Sequence, residues 1–206
     1  MNHVAAVLLA AGRSQRMGAF KPLLPFGKQT VIESSINYLL DGGVETVVVV
    51  LGHRAEEVQQ QIQNLPVKFA LNRAFGSEMN ASIAVGVLQL PATTEATLIA
   101  LADHPAVPPS VVSTLISEWK KGGELLVPTH QNRGGHPVLI DLRYRTELEN
   151  LDPKRGLKSI FEAHQNEVKR IPVASPFIAR DMDTWDDYQA LHQEVFGEPP
   201  VATPGD

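Results

Sequence analysis

The chain contains no cysteine. That absence excludes disulfides, thiolate zinc sites and cysteine nucleophiles, and it removes any compositional argument for an oxidising compartment, so a cytoplasmic home is the default expectation. There is also no excess of positive charge: the formal net charge is -5, with a pI near 5.8. A dominant nucleic-acid surface, which needs clustered Lys and Arg, is therefore excluded, and any phosphate affinity must be local. The apolar run Val4 to Ala11 is far shorter than the roughly 20 residues that span a bilayer, and no basic leader flanks it, so no membrane association is expected. Several catalytic signatures are missing as well. The sequence has no His-Glu-x-x-His, no Gly-x-Ser-x-Gly and no clustered histidines, which argues against zinc and hydrolase chemistry.

What is present is a rhythm of strands and helices. Val4 to Ala10 is a short continuous apolar run ending in a glycine-bearing segment, the pattern of a buried strand. Val31 to Leu40 has helical spacing and stops at Gly42-Gly43, and Thr46 to Leu51 is a second, β-branched strand. The spacing then predicts a helix over Ala55 to Ile62, a strand over Val67 to Leu71, a helix over Met79 to Leu90 behind Ser77, and a strand over Ala96 to Ala102. Strands alternating with helices imply right-handed crossovers and a mostly parallel, twisted sheet with helices on both faces. The second half is less regular. A helix fits Ser110 to Lys120, short strands fit Glu124 to Val127 and Pro137 to Ile140, and helical pieces fit Leu142 to Leu151 and Gly156 to His164. Val168 to Val173 reads as a late strand and Thr184 to Phe196 as a closing helix. At 206 residues this is one α/β domain over 1–196; three prolines and no periodic apolar positions mark 197–206 as a flexible tail.

The most informative segment is Leu9-Ala-Ala-Gly-Arg-Ser-Gln-Arg-Met-Gly-Ala-Phe-Lys-Pro-Leu-Leu-Pro25, which leaves the first strand at its carboxyl end, where open α/β sheets bind ligands. Ala10, Ala11 and Gly12 keep the backbone uncluttered, while Arg13, Arg16 and Lys21 supply positive charge, the composition of a phosphate cradle. It is not a Walker loop, because no Gly-Lys-Ser/Thr follows a four-residue spacer. Nor is it a dinucleotide fingerprint, because no glycine intervenes correctly between Gly12 and Gly18. Taken alone, a solvated turn with incidental basic residues is equally consistent with it. Two carboxylates invite a similar choice. Asp103 ends a buried strand and reads either as a metal ligand or as a helix cap before Pro108; Asp183 reads either as a metal ligand or as the cap of the helix beginning at Thr184.

The string Leu-Ala-Ala-Gly-x-Ser-x-Arg-Met-Gly-x-x-Lys-x-Leu-Leu-Pro resembles the signature of the molybdenum cofactor nucleotidyltransferase family. The resemblance implies a nucleotide-diphospho-sugar transferase fold similar to glycosyltransferase type A domains. It assigns Leu9, Ala10, Ala11 and Gly12 to the base and ribose, with Arg13 and Ser14 in the same loop, and gives Arg16 and Lys21 to the triphosphate. Asp103-His-Pro resembles the family's Asp-Gln-Pro, implying Asp103 as a Mg²⁺ ligand, and Arg180-Asp-Met-Asp-Thr-Trp-Asp-Asp-Tyr188 resembles the family's late acidic motif, implying Asp183 as the second. His104 stands where the family has glutamine, and it reads as orienting acceptor or water, or as a turn residue. Gly135-His136-Pro137 matches an acceptor motif, although His136 alone is equally a turn residue. Asn72 to Ser82 resembles a stretch near the nucleotide, bringing in Asn72 and Ser77, although Ser77 as a helix cap explains itself. Leu151-Asp-Pro-Lys-Arg-Gly-Leu departs from the family's Gly-Asp-x-Gly-Ala-Arg.

Within the family, Ala10-Ala11-Gly12 favours CTP over GTP as donor and molybdopterin as acceptor, with a molybdoenzyme or its chaperone as a further partner. The expected catalytic groups are Arg16, Lys21 and Asp103. Two alternatives stand beside this: the same chemistry on a sugar or alditol phosphate, and a non-catalytic nucleotide-binding chaperone for molybdoenzyme maturation.

Overall fold

The computed structural model describes residues 3–12, 14, 17–73 and 79–201. Its strands, in chain order, are β1 (Val4–Ala10), β2 (Pro25–Phe26), β3 (Gln29–Thr30), β4 (Thr46–Leu51), β5 (Val67–Leu71), β6 (Ala96–Leu101), β7 (Leu125–His130), β8 (Arg133–Gly134), β9 (Val138–Asp141) and β10 (Val168–Pro172). The helices are α1 (Val31–Asp41), α2 (Ala55–Gln61), α3 (Met79–Leu88), α4 (Pro109–Lys120), α5 (Arg145–Glu149), α6 (Leu157–Ala163) and α7 (Trp185–Phe196). One eight-stranded sheet runs β10-β7-β9-β6-β1-β4-β5, with β8 attached to β7. β1 pairs in parallel with both β4 and β6, and the wholly apolar centre of β1 and β4 is buried on both faces, as a parallel sheet covered by helices requires.

The chain crosses from β1 outward to β4 and β5, then returns to lay β6 on the other side of β1. That reversal opens a crevice at the carboxyl ends of β1 and β6. β9 runs antiparallel to β6, with Val138 opposite Ile99. The residues just before β9 therefore arrive at the same sheet edge from the opposite direction, which is how a late loop reaches the crevice.

Three details differ from the sequence expectation. β7 continues past Val127 to His130 although Pro128 would normally end a strand; the Pro128 carbonyl faces Gly135 at the break between β8 and β9, where no ladder N–H is required. The stretch 142–151 divides into a 3₁₀ turn, Leu142–Tyr144, and the short α5. The β2–β3 hairpin was not foreseen, because its strands are two residues each and carry no periodicity.

That hairpin matters because α7 packs on it. Met17, Ala19, Leu24, Phe26 and Val31 form one buried cluster with Met182, Tyr188 and Leu191, and the Tyr188 hydroxyl donates to the Pro25 carbonyl at 2.5 Å. The end of the domain is thereby fastened to its beginning. α7 starts from a capping box: Thr184 Oγ1 accepts from the Asp187 N–H, and the Asp187 carboxylate accepts from Thr184. Thr184→Ala is expected to cost about 1 kcal/mol, read as a lower urea midpoint at unchanged slope.

Candidate active site

The exits of β1 and β6 are tied together, since the Ala102 N–H donates to the Leu9 carbonyl at 3.1 Å. Ala10 is buried and Ala11 and Gly12 emerge progressively toward solvent. The exit of β4 presses on this turn: a Cβ on Gly52 would lie 2.8 Å from the Ala11 carbonyl oxygen. Ser14, at φ 52, closes the loop, its Oγ accepting from the Lys21 N–H at 3.1 Å. Lys21 then opens a 3₁₀ turn, Lys21–Leu23. Arg13, Arg16 and Ser77 lie outside the described residues.

Lys21 Nζ lies 2.9 Å from Asp183 Oδ1 and 3.8 Å from Asp103 Oδ2. Three residues from the beginning, middle and end of the chain thus meet at one ammonium. Neither carboxylate is spent on a helix cap. Pro108 precedes α4 without a side-chain cap, and Thr184 caps α7, so both capping alternatives fall away. The side chains of Asp103 and Asp183 are 32% and 26% exposed, against 12% for Lys21, so the carboxylates are the more accessible part of the trio.

This arrangement fits a hard divalent cation. The donors are carboxylate oxygens, and they lie 2.9 and 3.8 Å from one ammonium. The remaining ligands would come from phosphate oxygens and water, the coordination Mg²⁺ prefers.

Beside the carboxylates lie His104 and His136, with ring centroids 5.9 Å apart in an edge-on arrangement. His104 Nε2 is 3.8 Å from Asp103 Oδ1. The neighbouring Gly135 donates its N–H to the Pro128 carbonyl, and the His136 N–H donates to the Ile178 carbonyl at 2.7 Å; Pro137 is buried behind them. Burial lowers the pKa of His104, partly opposed by the charges of Asp103 and Asp181. Burial, and then repulsion from His104, pushes His136 down to about 4. Both rings are therefore neutral near pH 7 and act as hydrogen-bonding groups, not as cations. The sign of the linkage follows: a folded pKa below the unfolded value means that stability present above about pH 6.5 is lost as pH falls toward 4. His136 is expected to contribute roughly 2 kcal/mol of loss between about pH 7 and pH 5. Urea unfolding at both pH values should show His136→Gln with a correspondingly shallower dependence.

Asn72 is buried and donates through Nδ2 to Ser82 Oγ at 2.9 Å, anchoring α3 to the end of β5. Sequence reasoning missed the residues that bring Asp183 to Lys21, namely Met182 and Tyr188, although Tyr188 closes the acidic string already singled out. It also missed His192. The His192 ring bridges Gly27 N and the Glu198 carbonyl, and the carbonyl fixes the proton on Nδ1, which leaves Nε2 as acceptor.

Comparison with known proteins places the chain in a family. Residues 6–168 match the MobA-like NTP transferase domain. The chain belongs to that family. Membership makes it a nucleotidyltransferase acting on a nucleoside triphosphate. Among its relatives, nicotine blue oxidoreductase of Paenarthrobacter nicotinovorans is 32% identical over 149 residues, covering 69% of this chain and 72% of that protein. Molybdenum cofactor cytidylyltransferase of Escherichia coli strain K12 is 24% identical over 194 residues, covering 91% and 95%. The crystal structure of Rv0371c from Mycobacterium tuberculosis H37Rv superposes with a TM-score of 0.83 at 25% identity, covering 93% of this chain and 98% of that one. Among the described residues, no helix of this MobA-like domain is long and apolar enough to cross a membrane.

Proposed function

We propose that the protein transfers CMP from CTP to the phosphate of a molybdopterin-type acceptor and releases pyrophosphate. The observation that carries the reaction type is the convergence of Lys21, Asp103 and Asp183 at the crevice beside the β1 exit. The choice of CTP is supported by Ala10-Ala11-Gly12, and the acceptor by likeness to the cytidylyltransferase along nearly the whole chain.

An acceptor phosphate oxygen attacks the α-phosphorus in line; the new P–O bond forms as the bond to the β-phosphate oxygen breaks, and pyrophosphate leaves with the electron pair. The acceptor phosphate is already ionised, so no general base is required. Lys21, with Arg16, offsets the charge that accumulates on the leaving group. Asp103 and Asp183 would hold Mg²⁺, which when bound supplies charge neutralisation and alignment of the triphosphate oxygens. Neutral His104 and His136 orient the acceptor by hydrogen bonds.

The test is pyrophosphate release with Mg²⁺, molybdenum-loaded molybdopterin and either CTP or GTP, repeated with sugar and alditol phosphates. Release confined to CTP and molybdopterin supports the reading. GTP preference overturns the base assignment, and turnover on sugar phosphates overturns the acceptor. The identity with an enzyme named for oxidoreduction favours a second reading, in which the same loop holds the pyrophosphate of an intact dinucleotide. Oxidation of a reduced dinucleotide without pyrophosphate release distinguishes it.

A further inference from the structure

We propose that Ser35, supported by Ser34, is a positioning residue for Asp103: the two hydroxyls on α1 grip the backbone on either side of this carboxylate and set where it points. The proposal rests on the reading of Asp103 as a metal ligand. Asp103 is 32% exposed at its side chain, so packing alone does not hold it and its backbone mount must. That mount is unusually well tied. The residue before it has both backbone groups engaged: the Ala102 N–H donates to the Leu9 carbonyl at 3.1 Å, and the Ala102 carbonyl accepts from Ser35 Oγ at 3.1 Å. Two residues beyond Asp103, the Pro105 carbonyl accepts from Ser34 Oγ at 2.9 Å. Between them the turn closes on itself, His104 N–H to the Leu101 carbonyl at 3.3 Å.

Ser35 is fully buried inside a helix, where alanine would be the better helix former. Its single hydroxyl proton lies between two acceptors, the Val31 carbonyl of its own helix at 2.9 Å and the Ala102 carbonyl at 3.1 Å, a shared bond that ties the helix to the turn. One turn on, Tyr38 is buried with a hydroxyl that has no hydrogen-bond partner among the described residues. Its pKa is raised first by burial and then by the charge of Asp103. Tyr38 therefore serves as a control: removing its hydroxyl breaks no hydrogen bond to the turn.

The experiment is Mn²⁺ binding, read from loss of the free-ion paramagnetic resonance signal, with CTP present and no acceptor, so that no turnover is involved. Ser35→Ala is expected to weaken Mn²⁺ binding about 10- to 100-fold, while Tyr38→Phe stays within about twofold of wild type and Asp103→Ala abolishes binding. Wild-type affinity in Ser35→Ala alongside loss in Asp103→Ala overturns the positioning role. Wild-type affinity in Asp103→Ala shows instead that the metal reading has failed, and the proposal falls with it. If Ser35→Ala does not fold, Ser34→Ala, at a part-buried hydroxyl, carries the same comparison.

Discussion

Lys21→Ala is expected to slow pyrophosphate release about 100- to 1,000-fold, the cost of removing one preorganised electrostatic group from developing transition-state charge. The loss should fall mainly on kcat, because in the proposed reaction Lys21 would offset charge that grows as pyrophosphate departs. A second consequence comes from the geometry. Lys21 Nζ lies 2.9 Å from Asp183 and 3.8 Å from Asp103, so its removal takes one positive charge from beside two carboxylates. The metal-free variant is therefore expected to melt below wild type, and added Mg²⁺ with CTP should raise its melting temperature by more than it raises that of wild type. Calorimetry with and without Mg²⁺ checks this. Equal metal-induced shifts in variant and wild type would mean that the carboxylates do not converge on a cation.

Gly135→Ala is expected to be the most damaging single methyl in the site. A Cβ at Gly135 would lie 2.2 Å from the Ile178 carbonyl oxygen and 2.5 Å from its carbon, both backbone atoms that cannot rotate away. The same carbonyl accepts the His136 N–H at 2.7 Å, so relieving the clash moves His136 itself. Overpacking of this kind costs about 3 kcal/mol. A displacement near 1 Å at a substrate-positioning loop lowers turnover by about 100-fold. The expected result is a lower urea midpoint together with a raised acceptor KM and a nearly unchanged KM for CTP. Loss of CTP affinity instead would place His136 on the donor side of the crevice.

The fold was legible where one physical signal dominates. β1 is an uninterrupted apolar run, and β4 and β6 are apolar apart from Thr46 and Thr97; all three lie within a residue of their expected limits because short, β-branched-rich runs bounded by turn signals fit strands buried on both faces. α1 was legible from its period and from the glycines that end it. The reversed direction of β9 was not, because strand direction in a sheet is decided by how distant elements pack, and four residues from Val138 to Asp141 carry no sign of it. The same holds for the site. Lys21, Asp103 and Asp183 each stood out by residue type and position, and the motif resemblance linked them. That Thr184 caps α7 depends on Thr184 and Asp187 forming a reciprocal pair, which helix spacing alone does not decide. The clamp of Tyr188 on Pro25 joins residues at opposite ends of the chain, and Ser34 and Ser35 read in sequence as unremarkable polar positions of a helix. Their contacts exist only once α1 lies against the β6 exit.

The most direct test of nucleotidyl transfer at this site is to follow label position. CTP carrying radiolabel on the α-phosphate and, in parallel, on the γ-phosphate is incubated with the protein, Mg²⁺ and molybdenum-loaded molybdopterin. The proposed reaction predicts α-label in the acceptor and γ-label in pyrophosphate in equal amounts, with both lost in Asp103→Ala. Release of γ-label as inorganic phosphate, or consumption of acceptor without any transfer of α-label, would contradict it.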